Sequence, residues 1–106
     1  MNDANTSILR DAIGRNAPMV LSLPSSGMLR HHESRFLNED HEGFWVESVP
    51  ADATLVDELI ASGERCGISF RSGQTKVVFS APALRREPAY KINEELAVEA
   101  VLLKRP

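Results

Sequence analysis

The chain has 106 residues, 42% of them hydrophobic and 25% charged, with a formal net charge of -3 at pH 7. These values predict one globular domain over residues 1–106, and the acidic balance argues against a general nucleic-acid binder, which needs a surplus of Lys and Arg. The single cysteine, Cys66, excludes an internal disulfide and a multi-cysteine zinc site. Without a secretory signal or an apolar run near the roughly 20 residues of a membrane span, we expect a cytoplasmic protein with no membrane insertion.

The N-terminal half of the chain predicts one short helix and three strands. The stretch "NTSILRDAIG" has apolar residues at helical spacing, Asn5 or Thr6 as its N-cap and Gly14 at its end. "MVLSLP" predicts a strand followed by a turn at "PSSG". "GMLRHHESRFL" and "FWVESV" then predict a hairpin, whose polar tip "NEDHEG" has Gly43 for a positive φ.

The C-terminal half predicts a second helix and three more strands. "ADATLVDELIASG" is a helix with a capping box between Thr54 and Asp57, and it ends at Gly63. "CGISFRSGQTKVVFSA" predicts a hairpin that Pro82 ends, "LRREPAYK" predicts a connection or irregular edge, and "ELAVEAVLL" predicts a last strand. Successive strands joined by tight turns favour a mainly β fold, a six-stranded antiparallel barrel with two short helices.

All three histidines fall in one polar stretch, residues 29–48, which raises the question of a metal site. His31 and His32 are adjacent, so in a strand their side chains leave on opposite faces. His41 lies in the turn, and no third histidine or cysteine is near enough in sequence to complete a zinc site. We therefore expect no metal site and interpret the histidines as surface residues.

No pattern of nucleophile, base or phosphate loop is convincing, so we predict a protein that is not an enzyme. Cys66 follows the end of a helix, where no helix N-terminus lowers its pKa. Ser25 and Ser26 suit a turn and have no nucleophile-elbow pattern around them. The paired carboxylates occur in surface runs, and nothing marks one of them as buried.

Arginines and one aromatic residue remain as contact candidates. Arginine forks bind anions well, and Arg85 or Arg86 could also join an arginine cluster in three dimensions. Of the neighbours Phe44 and Trp45, only one can face the core of a strand, and the other would sit at the rim as a partner-contact residue. The candidate contact surface consists of Arg30, His32, Arg35, Trp45 and Arg71.

Several short patterns, in their order, resemble a known family. They are "VLSLP", "ESRFL" before a polar turn, "FWVESVP", "LIASGERCGISFRSGQTKVVFSAPAL" and a final strand ending in "KRP". Together they are similar to the N-terminal domain of the flagellar-brake family, the YcgR-type receptors in which this domain precedes a PilZ domain. The resemblance covers nearly the whole chain and includes no catalytic motif.

The resemblance implies a split-barrel-like antiparallel fold and a regulatory role in control of motility or related surface behaviour. It implies no cofactor in this domain and cyclic di-GMP on an adjoining PilZ domain. The partners it implies are that PilZ domain and a protein such as a flagellar motor component, while a homodimer is left open. Arg30 and Arg35 are spaced one residue too widely for the family's ligand motif, and Asp40 stands where that motif has Ser. No ligand residue is carried over, and we expect the chain to be the N-terminal part of a longer receptor.

Two other classes stay as alternatives. A split barrel that binds a flavin phosphate would use the arginines and Trp45. A small oligonucleotide-binding barrel would share the architecture, but the acidic balance of the chain disfavours it.

Overall fold

The computed structural model describes residues 3–106, with side chains from Thr6 onward. Helix α1 begins at Asp3, before the predicted caps Asn5 and Thr6. The elements in chain order are α1 (Asp3–Gly14), β1 (Pro18–Ser25), β2 (Met28–Glu39), β3 (Gly43–Glu47), a 3-10 turn (Pro50–Asp52), α2 (Ala53–Ser62), β4 (Arg65–Ser72), β5 (Thr75–Lys91) and β6 (Ala97–Lys104). Among the described residues, no helix has the length and apolar character needed to cross a membrane.

The six strands close into a barrel in the order β1-β2-β3-β6-β5-β4, and every neighbouring pair is antiparallel. The predicted fold class, a mainly β antiparallel barrel of six strands with two short helices, is therefore confirmed. Each described strand has a neighbour on both sides, although several pair with the second neighbour over only part of their length.

Strand β5 is longer than the sequence predicted. Its first half pairs with β4 as far as Pro82, and its second half pairs with β6 from Ala83 to Lys91. The prediction that Pro82 ends the strand is wrong. Of the two alternatives for "LRREPAYK", a connection or an irregular edge, the connection is wrong, because the segment is an irregular part of β5. Pro82 is tolerated because it lies where the strand changes partner, and the ladder to β6 is irregular between Glu87 and Tyr90, where Pro88 falls.

The start of α2 also differs from the prediction, whereas its end does not. Gly63 caps the helix in the left-handed conformation with φ 75°, as predicted. The predicted capping box of Thr54 and Asp57 is wrong, because α2 begins at Ala53 and its N-cap is Asp52, which makes no side-chain capping bond. The Asp52 carboxylate instead binds side chains of β2.

Gly43 is required for a different reason from the one predicted. It opens β3 opposite Lys104, and it is not among the glycines with positive φ. A Cβ atom built on Gly43 would lie 1.9 Å from the carbonyl oxygen of Leu103. The close approach of two backbones, and not a turn conformation, excludes any side chain here.

The barrel interior is packed around Phe36, which is fully buried. Its ring lies 5.2 Å from that of Phe70 in an edge-to-face arrangement and 5.9 Å from that of Phe44. The helix α2 buries Val56 and Leu59 against the same core. Removing an aromatic side chain from such a site costs about 3–5 kcal/mol of stability, so Phe36 anchors the fold.

Candidate functional site

The outer face of the barrel carries a row of side chains from four neighbouring strands. Val20 on β1 pairs with Glu33 on β2 and with Ser69 on β4, so these three side chains share the outer face. Two residues along each strand, the next row is Arg35 on β2, Pro18 on β1, Arg71 on β4 and Lys76 on β5. The register therefore places three basic side chains in one line, which we call the basic row: Arg35, Arg71 and Lys76.

The basic row lines a cleft of about 800 Å3. Strand β1 stops pairing with β4 at Val20, so Pro18 lies between β2 and β4 without a ladder bond to β4. Neighbouring strands are about 4.8 Å apart. The short side chain of Pro18 therefore forms the bottom of the cleft, between the long side chains of Arg35 and Arg71. The remaining lining residues are Asn16, Met19, Val20, Glu33, Ser34, Glu47, Ser69 and Phe70.

The charges of the cleft are only partly balanced. Nε of Arg35 donates a hydrogen bond to Oε1 of Glu47 at 2.8 Å. Within residues 6–106, Arg71 and Lys76 form no ion pair, and both are exposed. They are directly opposite across the ladder, and like charges in such a pair are destabilising. The arrangement can bind an anionic group, which would relieve this repulsion.

The predicted contact residues Arg30 and His32 lie elsewhere, on the inward side of β2 near the 3-10 turn. Nη1 of Arg30 is 3.0 Å from Oδ1 of Asp52, and Nε2 of His32 is 2.8 Å from its Oδ2. The second contact is short but not aligned as a hydrogen bond, and both atoms are buried. The side chain of Asp52 is 3% exposed, so its charge is compensated mainly by Arg30.

Trp45 occupies a third location. Its ring centroid lies 5.2 Å from that of Tyr90, outside the cleft of the basic row. Partial burial raises the pKa of the Tyr90 hydroxyl, although a hydrogen bond with Asn38 opposes the shift. Phe44 is buried and Trp45 is half-buried, so the prediction of one core and one rim aromatic is confirmed. Of the five predicted contact residues, the structure brings together Arg35 and Arg71, and separately Arg30 and His32.

The sequence interpretation missed two buried carboxylates, Asp52 and Glu99. Arg86 on β5 reaches Oε1 of Glu99 at 3.1 Å and binds both carboxylate oxygens of Asp57 on α2. The hydrogen bond from Arg86 holds the pKa of Asp57 below its usual range. One signal was available for Glu99, since it stands alone among the apolar residues of "LAVEAVLL". Both clusters fasten a helical segment to the barrel.

The three histidines do not converge. His31 bonds to Oγ of Ser22 at 2.6 Å on the face opposite His32, as the strand geometry predicted, and His41 is exposed 3.9 Å from Glu42. The described part of the chain contains no group of three His, Cys, Asp or Glu side chains placed to hold a metal ion. Cys66 is buried, and desolvation raises the pKa of its thiol to about 11.

Comparison of the chain with protein-family models, with curated proteins and with solved structures finds no match. The function must therefore be argued from the site itself, above all from the basic row.

Proposed function

We propose that this chain is a non-catalytic regulatory and interaction domain of a cyclic di-GMP-responsive PilZ receptor. In this proposal the domain contacts an adjoining PilZ domain and a protein partner in the control of motility or related surface behaviour. The observation that carries the interaction role is the basic row, with two uncompensated cations at an open cleft.

The chemistry of the cleft specifies an acidic partner surface. Arg71 and Lys76 stand on adjacent strands of a barrel, so their positions are fixed by backbone pairing. Arg71 can bind a carboxylate through two parallel hydrogen bonds, and Lys76 adds a second charge beside it. A partner carboxylate placed between them would replace a repulsion with two attractions, which supports specificity and a fast association rate.

Residues of the pattern "ESRFL", on which the family resemblance rests, hold the hairpin of β2 and β3 together. Their structural role supports the proposal that this chain has the fold of that family. In "ESRFL", Oγ of Ser34 donates to the carbonyl oxygen of Glu47 at 2.6 Å, and Arg35 binds the Glu47 carboxylate. Phe36 from the same pattern fills the core. A pattern with these structural roles fits a regulatory module whose ligand site lies in another domain.

Isothermal titration of the purified chain with cyclic di-GMP tests the placement of the ligand site. We expect no heat of binding up to high micromolar concentrations, because no ligand motif of the family is present in this sequence. Binding at micromolar or lower concentration would place ligand determinants in this chain and contradict the proposal.

A swimming assay in the native host tests the regulatory role. A strain without the gene is complemented with the wild-type gene, with R71E/K76E or with the control K104E, which reverses an exposed lysine outside the cleft. We expect the wild-type gene and K104E to restore the parental swim diameter and R71E/K76E to behave like the deletion. If deletion of the gene leaves swimming and surface behaviour unchanged, the regulatory assignment is wrong.

One observation favours a second candidate, a site for the phosphate of a flavin nucleotide. The cleft volume falls within the range of small-molecule sites, and the basic row suits a phosphate. Trp45 does not line this cleft, so the aromatic stacking that motivated the flavin alternative is missing there. Titration with flavin mononucleotide, followed by absorbance and fluorescence, removes this candidate if neither spectrum changes.

A further inference from the structure

A second surface lies on a different part of the barrel, between the turn joining β1 to β2 and the helix α2. It is a groove of about 690 Å3, and none of its lining residues belongs to the cleft of the basic row. Its apolar lining includes Met28 and Leu29 from the start of β2 and Leu55 and Leu59 from α2. We call it the hairpin groove.

The apolar side of the hairpin groove is unusually exposed. Met28 is 74% exposed and Leu29 is 56% exposed, and they are consecutive residues at the tip of a hairpin. Single exposed apolar residues are ordinary, and Met28 and Leu29 leave opposite faces of the strand, but both line the groove that contains Leu55, so each adds exposed apolar surface to the patch around it. Covering such a patch is favourable by roughly 25 cal/mol for each Å2 of apolar surface removed from water.

The hairpin tip holds the backbone of Met28 and Leu29 in a fixed position. The loop between β1 and β2 has only two residues, Ser26 with φ 51° and Gly27 with φ 78°. Two positive φ values in a two-residue loop are the geometry that follows the natural twist of a hairpin. Ser25 pairs directly with Met28, so the ladder continues up to the turn. The patch is therefore preorganised, which lowers the entropic cost of binding.

The rim of the hairpin groove is acidic. Glu58 on α2 and Glu64 before β4 line it, both are exposed, and neither makes an ion pair within residues 6–106. Among residues 6–106, no lysine or arginine lines the groove. A binding partner with an apolar anchor and flanking positive charges complements both features, whereas an anionic lipid surface would be repelled by the two carboxylates.

We propose that the hairpin groove is a docking site for a basic amphipathic segment of a protein partner. Apolar residues at positions i, i+3 and i+4 of that segment pack against Met28, Leu29 and Leu55, and its lysines or arginines pair with Glu58 and Glu64. The site is independent of the proposed function, because it shares no residue with the basic row and takes a ligand of opposite charge.

The test uses a labelled helical peptide of about four turns with leucines at those spacings and lysines elsewhere, measured by fluorescence anisotropy. A second peptide keeps the leucines and replaces each lysine by glutamate. We expect the lysine peptide to bind the purified chain with a salt-dependent affinity, and the glutamate peptide to bind at least about tenfold more weakly. Equal binding of the two peptides would overturn the proposal.

Matched variants separate the groove from general attraction to an acidic protein. M28S/L29S removes the exposed anchors, and its control V78S removes a 65% exposed valine from β5 outside the groove. E58Q/E64Q removes the rim charges, and its control E94Q/E95Q removes two exposed charges elsewhere. Each groove variant should weaken binding of the lysine peptide by about tenfold while its control leaves the affinity unchanged, because M28S/L29S removes the apolar anchors and E58Q/E64Q removes the charges that attract the lysines.

Three further outcomes would overturn the inference. The first is that a groove variant and its control weaken binding equally, because the attraction is then nonspecific. The second is a concentration-dependent dimer in sedimentation that M28S/L29S abolishes, which would make a second copy of this chain the occupant. The third is M28S/L29S-sensitive binding to vesicles of neutral phosphatidylcholine, which would make the surface a lipid contact. Because all substitutions are at exposed positions, circular dichroism should show folded protein throughout.

Discussion

Arg71 on β4 lies directly opposite Lys76 on β5, two cations in a cross-strand pair with no carboxylate bound to either within residues 6–106. A sheet is more stable with opposite charges at such a pair, so this arrangement lowers the stability of the free domain. A feature that is unfavourable for folding is understandable where the same side chains serve a contact with another molecule.

Replacing Lys76 with Glu should therefore stabilise the domain. K76E converts the repulsive pair into an attractive one, and cross-strand pairs of opposite charge contribute about 0.2–1 kcal/mol. Urea denaturation should give a higher midpoint for K76E than for the wild type, with the difference reduced in 1 M salt. The control K104E should leave the midpoint nearly unchanged, since Lys104 has no cation opposite it on β3. A lower midpoint for K76E would mean that Lys76 has a stabilising partner.

Replacing Arg86 with Met should destabilise the domain more than an ordinary surface substitution. Arg86 compensates the buried Glu99 and binds Asp57 of α2, so its loss leaves a buried carboxylate without a cation and frees one helix contact. We expect a thermal midpoint lowered by several degrees, whereas R71M should not lower it, because loss of the Arg71 charge relieves the repulsion with Lys76. An unchanged midpoint for R86M would show that the bridge does not contribute to stability.

The loss of stability caused by R86M should depend on pH. The hydrogen bond from Arg86 lowers the pKa of Asp57 in the folded protein. The stability that this bond contributes is therefore fully present above the ordinary aspartate pKa of about 3.9 and is lost as the pH falls below that value. The midpoints of R86M and the wild type should therefore approach each other between about pH 4 and pH 2. A difference that stays constant over this range would assign the loss to packing alone.

Asp40 should provide a second acid-sensitive contribution, at the turn between β2 and β3. Its carboxylate accepts backbone hydrogen bonds from Glu42 and Gly43, which lower its pKa, the bond from Glu42 most strongly. The depressed pKa stabilises the folded state above the ordinary aspartate value, and this contribution disappears as the pH falls below that value. D40N should be less stable than the wild type at pH 7 and nearly equal to it at about pH 2. Equal stability at both pH values would mean that the charge of Asp40 is unimportant.

Cys66 should be unreactive in the folded protein. Burial raises the pKa of its thiol to about 11, so at pH 8 only about 0.1% is thiolate, and the side chain is also shielded from reagents. A disulfide reagent such as Ellman's should modify it slowly in buffer and rapidly in 6 M guanidinium. Fast modification under native conditions would contradict its placement in the core.

The hairpins could be predicted from the sequence because their signals are local. Residues 28–47 fit no helical stripe and contain a polar turn, and Gly63 ends its helix through a conformation that the residue type itself favours. The course of β5 could not be predicted this way, because Pro82 and Pro88 usually mark strand ends. Here Pro82 lies where the strand changes pairing partner and Pro88 lies at an irregularity of the ladder to β6, and both depend on where β6 lies in the barrel.

The candidate site was predictable only in part. Arg35 and Arg71 stood among the predicted contact residues, but they meet only because β1 pairs with both β2 and β4 in a particular register. Lys76 was missed for the same reason, since its position depends on its pairing with Arg71. The compensation of Asp52 by Arg30 was likewise hidden, because these residues are 22 positions apart and the 3-10 turn brings them together.

The most direct test of the contact role of the basic row is quantitative affinity capture from an extract of the native host. Tagged wild-type chain, R71E/K76E and the control K104E are compared by mass spectrometry at low and high salt. We predict that proteins retained by both the wild type and K104E fall by at least about tenfold with R71E/K76E, and that high salt releases them from the wild type. If R71E/K76E remains folded and retains the same proteins in the same amounts as the wild type, the basic row is not the contact surface.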